Sequence, residues 1–243
     1  MFKLIKRLLP VTIKQYVKRK FPYYPLLYCP ICEHSSPTFS SFGLAPRPNA
    51  QCPVCGGLER HRLIWLFFKQ STDLFDSRPK RMLHFAPEPC ISERLSKLIN
   101  LEYLTADLYT PSAREKVDIT NIQYPDESFD IIYCSHVLEH VLDDRKAIRE
   151  CWRVLRRKGW AVFLVPLTLD PTFEDPSITE PGERERLFGQ SDHIRRYGPD
   201  FVDRLKEAGF EVKSYSPTDV AGDKVTHYAI PANEGPLFFC IKN

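Results

Sequence analysis

Apolar runs of strand length alternate with amphipathic stretches over most of the chain, and the order of the two patterns predicts the fold. From Lys80 onward the runs are Arg81–Ala86, Leu101–Ala106, Phe129–Cys134, Trp160–Val165, Phe210–Tyr215 and Pro236–Ile241. Between them, Ile91–Leu98, Asp143–Arg157 and a stretch from Gly198 to Ala208 read as helices, the second stopped by Gly159 and the third capped by Gly209. Such alternation predicts parallel strands joined by crossover helices, an α/β sandwich with helices on both faces of the sheet. Upstream, Leu58–Gln70 predicts another helix. Its run Leu63-Ile64-Trp65-Leu66-Phe67-Phe68 is too apolar for solvent and should dock on the following domain. At the start, Phe2, Ile5, Leu9, Ile13, Tyr16 and Val17 recur at helical spacing with lysines between them, which predicts a basic amphipathic segment over residues 1–24.

Between that segment and the docking helix the pattern fails, and cysteine takes over. Cys29 and Cys32, then nineteen residues, then Cys52 and Cys55 form two C-x2-C knuckles, the second followed by Gly56-Gly57. Each knuckle aims two thiolates at one ion and the pair completes a tetrahedron, so residues 25–57 are expected to be a ribbon holding structural Zn²⁺. With four thiolates the ion has no open position, so His34 and His61 are bystanders. Cys90, Cys134, Cys151 and Cys240 are scattered singly and read as packing residues of a reducing compartment.

Composition adds limits. The 243 residues, 43% apolar, allow one ordinary domain, residues 58–243, besides the ribbon. A net charge of +3 is too mild to imply a nucleic-acid partner. Lys3, Lys6, Arg7 and Lys14 interrupt every candidate signal-peptide core, and no run approaches the roughly 18 apolar residues of a membrane span. The expectation is a cytoplasmic protein, with residues 1–20 able to make weak peripheral contact with the inner face of a membrane.

In open α/β sheets ligands sit beyond the carboxyl ends of the strands. There the sequence places Ala86-Pro87-Glu88-Pro89, then Asp107, suited to ribose hydroxyls, then Asp118-Ile119, then Ser135-His136 followed by Val137-Leu138-Glu139-His140. In this order, and above all in YPDESFDIIYCSHVLEHVLDDRKAIRECWRVLRRKGWAVFLVP (Tyr124 to Pro166), the chain resembles the class I S-adenosylmethionine-dependent methyltransferases over roughly Leu58 to Asn243. The resemblance implies a Rossmann-like seven-stranded sheet with the last strand inserted antiparallel, and S-adenosylmethionine as cofactor. It implies further that Ala86, Pro87 and Glu88 surround the methionine moiety, with Glu88 toward its ammonium. Asp107 would bind the ribose, Asp118 and Ile119 the adenine, and Ser135 and His136 would line the wall by the reactive methyl. The chain departs from the family in its first loop. His84 stands near the family's acidic position, and no glycine occurs from Leu58 to Lys158. Glycine matters most against a pyrophosphate, so its absence argues against NAD, FAD or ATP more than against a phosphate-free sulfonium.

For a hydroxyl acceptor a base is needed, and His136 and His193 are the candidates. The long polar stretch Leu167–Tyr197 reads as a lid or acceptor-recognition insert. Two methyltransferase groups carry a cysteine-rich module ahead of this kind of domain: ribosomal RNA guanine methyltransferases and sugar C-methyltransferases. Between its knuckles the ribbon has only His34 and Arg47 as candidate cations, with Phe39 and Phe42, so a polar small-molecule acceptor such as a saccharide is favoured over RNA. A non-catalytic zinc-ribbon adaptor with a degenerate pocket is the third reading.

Overall fold

The computed structural model describes residues 26–243. The amphipathic segment read over residues 1–24, and its membrane contact, lie outside them. The first described part is the cysteine-rich module: two antiparallel hairpins, β1 (Leu27–Cys29) with β2 (His34–Ser36), and β3 (Ser40–Phe42) with β4 (Arg47–Gln51). The chain then enters α1 (Glu59–Ser71) and the main sheet, built from β5 (Lys80–Phe85), β6 (Leu101–Asp107), β7 (Glu115–Lys116), β8 (Phe129–Ser135), β9 (Leu155–Leu164), β12 (Glu211–Tyr215) and β13 (Leu237–Ile241). The order is β12-β13-β9-β8-β5-β6-β7. All neighbours from β9 to β7 are parallel, while β13 lies antiparallel between β12 and β9. This is the sheet the resemblance implies. The two-residue edge strand β7 had no sequence signal.

Both faces of the sheet are covered, so its central strands are apolar throughout instead of alternating. On one face Met82, Ile131, Tyr133, Val162 and Leu164 pack with α1, with α2 (Pro89–Leu95) and with α6 (Pro217–Ala221). On the other, Leu83, Phe85, Ile132, Cys134 and Phe163 pack with α3 (Asp144–Val154) and α5 (Phe201–Glu207). Leu63 to Phe68 are all buried, as the docking helix requires. The four single cysteines are free and buried.

One boundary differs from expectation. The helix read to Arg157 ends at Val154, and β9 begins at once with Leu155. Leu155 pairs with Phe129, and the register then shifts before Ile131 meets Trp160, leaving the Arg156–Lys158 bend outside regular pairing. Gly159 serves this bend instead of ending a helix: a Cβ there would stand 2.8 Å from the Asp130 carbonyl and 2.9 Å from that of Arg156.

Arg62 ties the ribbon to the rest. Fully buried near the start of α1, it donates from Nη1 to the Ala50 and Gly57 carbonyls at 2.9 and 2.7 Å. Its Nε and Nη2 donate to Tyr228 and Ala229 carbonyls at 2.7 and 2.6 Å, and Phe39 covers the guanidinium. Tyr28 adds a backbone bond to His227 and stacks on its ring.

The stretch after β9 is an organised insert. It holds β10 (Phe173–Glu174) paired with β11 (Arg195–Arg196), and α4 (Pro181–Phe188). Arg195 donates to the Leu138, Val141 and Leu142 carbonyls and to Glu174. Tyr197 and Arg204 both donate to the buried Asp144 carboxylate, at 2.6 and 2.7 Å. Burial alone would raise the Glu174 carboxyl, but hydrogen bonds from Arg204 and Arg195 prevail and hold it at about 2. The insert is thereby fastened to the turn that follows β8.

Candidate active site

A cavity of about 730 Å³ opens at the carboxyl ends of β5, β6 and β8, within the size range of small-molecule sites. Its wall includes Ala86, Asp107, Asp118, Ile119 and His136, five of the nine cofactor and catalytic residues read from the sequence. The elements explain why they converge. Ala86 follows β5 with φ of 49°, the left-handed backbone that glycine adopts without penalty, so a methyl side chain occupies the position where the family uses glycine. The Ala86 N–H is bonded to the Ala106 carbonyl, which holds the bend against β6. His136 follows β8 in the same left-handed region, φ 54°, with its N–H on the Leu164 carbonyl.

The two aspartates each use one oxygen on their own loop. Asp107 Oδ1 accepts the Tyr109 and Thr110 N–H groups, both at 2.7 Å. Asp118 Oδ1 accepts the Thr120 N–H and hydroxyl, both at 2.8 Å. That leaves the second oxygen of each carboxylate for a ligand, next to the apolar side chain of Ile119, which is 5% exposed. Leu108, Tyr109, Val137, Val141 and Leu142 add to the apolar lining.

Four expected residues sit elsewhere. Pro87 is half-buried and does not line the cavity. Glu88 turns away from it: its carboxylate lies 2.9 Å from His84 Nε2, accepts the Tyr133 hydroxyl at 3.1 Å and has His61 Nε2 3.6 Å away. Burial would raise this carboxyl, yet the His84 hydrogen bond and the neighbouring histidines hold it at about 2. The expectation of Glu88 facing an ammonium from the cavity is corrected accordingly, because a buried carboxylate goes to its donors. His84, with Tyr103 at 2.7 Å on its other nitrogen, is the satisfied core histidine the sequence predicts. Ser135 is 3% exposed, with an Oγ that has no hydrogen-bond partner among the described residues.

His193 lies just behind the wall, 3% exposed, while its neighbour Asp192 lines the cavity. Burial lowers the His193 pKa. His193 Nδ1 stands 3.2 Å from the Phe188 carbonyl, and its ring meets that of His140 edge to face at 4.8 Å. His136 Nδ1 lies 3.2 Å from Oε1 of Glu139, a carboxylate only 1% exposed. Sequence reasoning passed over Glu139. The available signal was an acid flanked by two histidines inside an otherwise apolar turn.

In the ribbon, Cys29, Cys32, Cys52 and Cys55 bring their sulfurs within 4.8 Å of one another, with Cys29–Cys55 and Cys32–Cys52 both 3.6 Å. Disulfide sulfurs stand about 2.0 Å apart, so these are separate thiols. A tetrahedron of sulfurs, each about 2.3 Å from a central ion, has edges of about 3.8 Å, which the cluster fits. Gly57 makes the knuckle possible: a Cβ there would lie 2.9 Å from Ile31 Cδ1 and 3.3 Å from Cys55 Sγ.

Comparison with known proteins agrees with this geometry. Residues 91–163 match the methyltransferase-domain family. The chain is 37% identical over 75 residues to an uncharacterized methyltransferase, YcgJ, of Bacillus subtilis; the match covers 31% of this chain and 28% of that one. A probable S-adenosylmethionine-dependent methyltransferase of Mycolicibacterium smegmatis is 32% identical over 130 residues, covering 51% of this chain and 47% of the other. The chain thus spans less than half the length of these relatives. The crystal structure of YcgJ superposes with a TM-score of 0.50 at 16% identity, covering 75% of this chain and 99% of that one, which establishes the Rossmann-like methyltransferase fold.

Proposed function

We propose that the protein transfers a methyl group from S-adenosylmethionine to the hydroxyl of a polar small molecule, with saccharides the favoured class. One observation carries this reading: the cavity over β5 and β6 is open, and the two carboxylates facing it each retain an oxygen for a ligand. An adenosyl group suits that lining, with Asp107 toward the ribose and Asp118 and Ile119 toward the adenine. The cofactor supplies a methyl on a sulfonium whose departure leaves a neutral thioether. The enzyme's task is then alignment and removal of the acceptor's proton. His136, on the cavity wall with its Nδ1 3.2 Å from Glu139 Oε1, is placed for the second part. The ribbon holds Zn²⁺ in a structural role and, through Arg62, fixes the start of α1.

The internal use of basic residues supports a small acceptor over RNA. Arg47 is engaged bidentately by Glu59, at 3.0 and 3.2 Å, and Arg62 is spent on four carbonyls, so of the cations beside the ribbon these two are committed internally. The test is incubation of the full chain with isotopically labelled methyl donor and a cell extract, followed by mass spectrometry. Label in a low-molecular-weight hydroxylated product is expected. Label confined to RNA would transfer the assignment to the RNA reading. No binding of S-adenosylhomocysteine and no label anywhere would leave the non-catalytic adaptor.

A further inference from the structure

The turn Leu138–His140 and the loop carrying His193 bring three ligand-type side chains together at the edge of the cavity. Donor atoms of Glu139, His140 and His193 all lie within 4.8 Å of one another. Two further observations point to a cation. Glu139 is 1% exposed, and neither of its carboxylate oxygens has a hydrogen-bond partner among the described residues. A buried carboxylate in that condition costs several kcal/mol unless a positive charge compensates it. The nearest charged candidate, His136, sits beside Oε1 without completing a hydrogen bond, and Arg195 is committed to carbonyls and to Glu174. In addition, His193 Nδ1 points at the Phe188 carbonyl. That fixes the proton on Nδ1 and leaves the Nε2 lone pair outward, as in metal-bound histidines whose other nitrogen is anchored to backbone. The two segments are also pinned to each other by the Ile194 N–H on the Glu139 carbonyl at 3.0 Å.

We infer that Glu139, His140 and His193 form a binding site for a divalent transition-metal ion at the mouth of the cofactor cavity, separate from the four-cysteine cluster. Two imidazoles and a carboxylate suit Zn²⁺ or Fe²⁺ and leave coordination positions open. Ligand atoms about 2.0–2.2 Å from one ion stand about 3.4 Å apart in a tetrahedron, so binding draws the three together by up to roughly 1.5 Å. His140 is the exposed member, its Nδ1 3.3 Å from the Asp192 carbonyl. The role of the site rests on the methyltransferase reading; its existence does not. An ion here takes the oxygen of a hydroxylated acceptor and lowers its pKa. The hydroxyl proton passes to His136, the oxygen forms a bond to the methyl carbon, and the carbon–sulfur bond breaks with its electron pair remaining on sulfur. The acceptor class narrows to molecules with a metal-ligating hydroxyl.

The experiment is metal stoichiometry of the full-length protein after equilibration with Zn²⁺ and removal of free ion. Two zinc ions per chain are expected in the wild type, and one in Glu139→Gln and in His193→Ala. Substitution with Co²⁺ supplies a second reading: weak visible bands from nitrogen and oxygen ligation, added to the intense thiolate bands of the ribbon, vanish in both variants. Binding of S-adenosylhomocysteine, measured on the same samples, reports on fold and on the cofactor reading independently. One zinc per chain in a wild type that binds S-adenosylhomocysteine would overturn the metal site alone. Retention of two ions in both variants would overturn the ligand assignment.

Discussion

Asp107 separates a loop-holding role from a ligand-holding role, because its two oxygens do different work. Oδ1 accepts two backbone N–H groups, from Tyr109 and Thr110. Asp107→Asn keeps that acceptor and its shape but replaces the second oxygen with an NH₂ group, which cannot accept a ribose hydroxyl. A hydrogen bond to a charged group is worth about 1.5–3 kcal/mol. At 1.4 kcal/mol per tenfold, S-adenosylhomocysteine affinity should fall roughly 10- to 150-fold. Asp107→Ala removes the loop acceptor as well, at about 1 kcal/mol per lost bond, and should lower thermal stability where Asp107→Asn does not. Isothermal titration calorimetry against the ligand, with melting curves of both variants, reads the two effects apart. Equal affinity in the wild type and Asp107→Asn would refute the ribose assignment, and equal stability of all three proteins would refute the loop role.

Other outcomes follow from the buried polar groups. Arg62→Met should destabilise the protein by about 3 kcal/mol or more in urea unfolding, since it leaves several carbonyls without their donor. Burial holds His61 at about 4, below its ordinary 6.5, so the unfolded chain binds its proton first. The stability tied to its neutral form is fully present above pH 6.5 and is lost as pH falls toward 4, at most about 3 kcal/mol. The urea midpoint should therefore drop across that window, and His61→Gln should flatten the slope. Glu88 and Glu174 act lower, in the window from about 4.5 to 2, because their folded-state pKa values are depressed to about 2. Zinc chelation should release one ion from the four-cysteine cluster and lower the melting temperature, an effect that Cys52→Ser should reproduce without chelator.

The sheet was legible because its strands are buried on both faces and its helices are amphipathic, so period and punctuation coincide with elements. The residues lining the cavity were legible for the same reason: the carboxyl end of each strand is marked by the residue at which its apolar run stops. What was not legible depends on contacts distant in sequence. Glu88 sits in the right loop, but His84, Tyr133 and His61 decide where its carboxylate points. The polar insert reads as a lid, yet Arg195 within it is 4% exposed and Arg204, in the helix that follows, 5% exposed, on partners about 55–60 residues upstream. The Arg156–Lys158 stretch has helical composition, but the flanking pairs Phe129 with Leu155 and Ile131 with Trp160 override that propensity. The glycine-free first loop, the largest departure from the family pattern, resolves at Ala86, which takes up the left-handed backbone itself.

The central claim is that the cavity over β5 and β6 holds an adenosyl sulfonium. The most direct measurement is a crystal structure of the full chain grown with S-adenosylhomocysteine. The ribose is expected against the second oxygen of Asp107 and the adenine beside Asp118 and Ile119, with the sulfur toward His136. Ligand bound elsewhere, or a cavity left empty at saturating ligand, would contradict it.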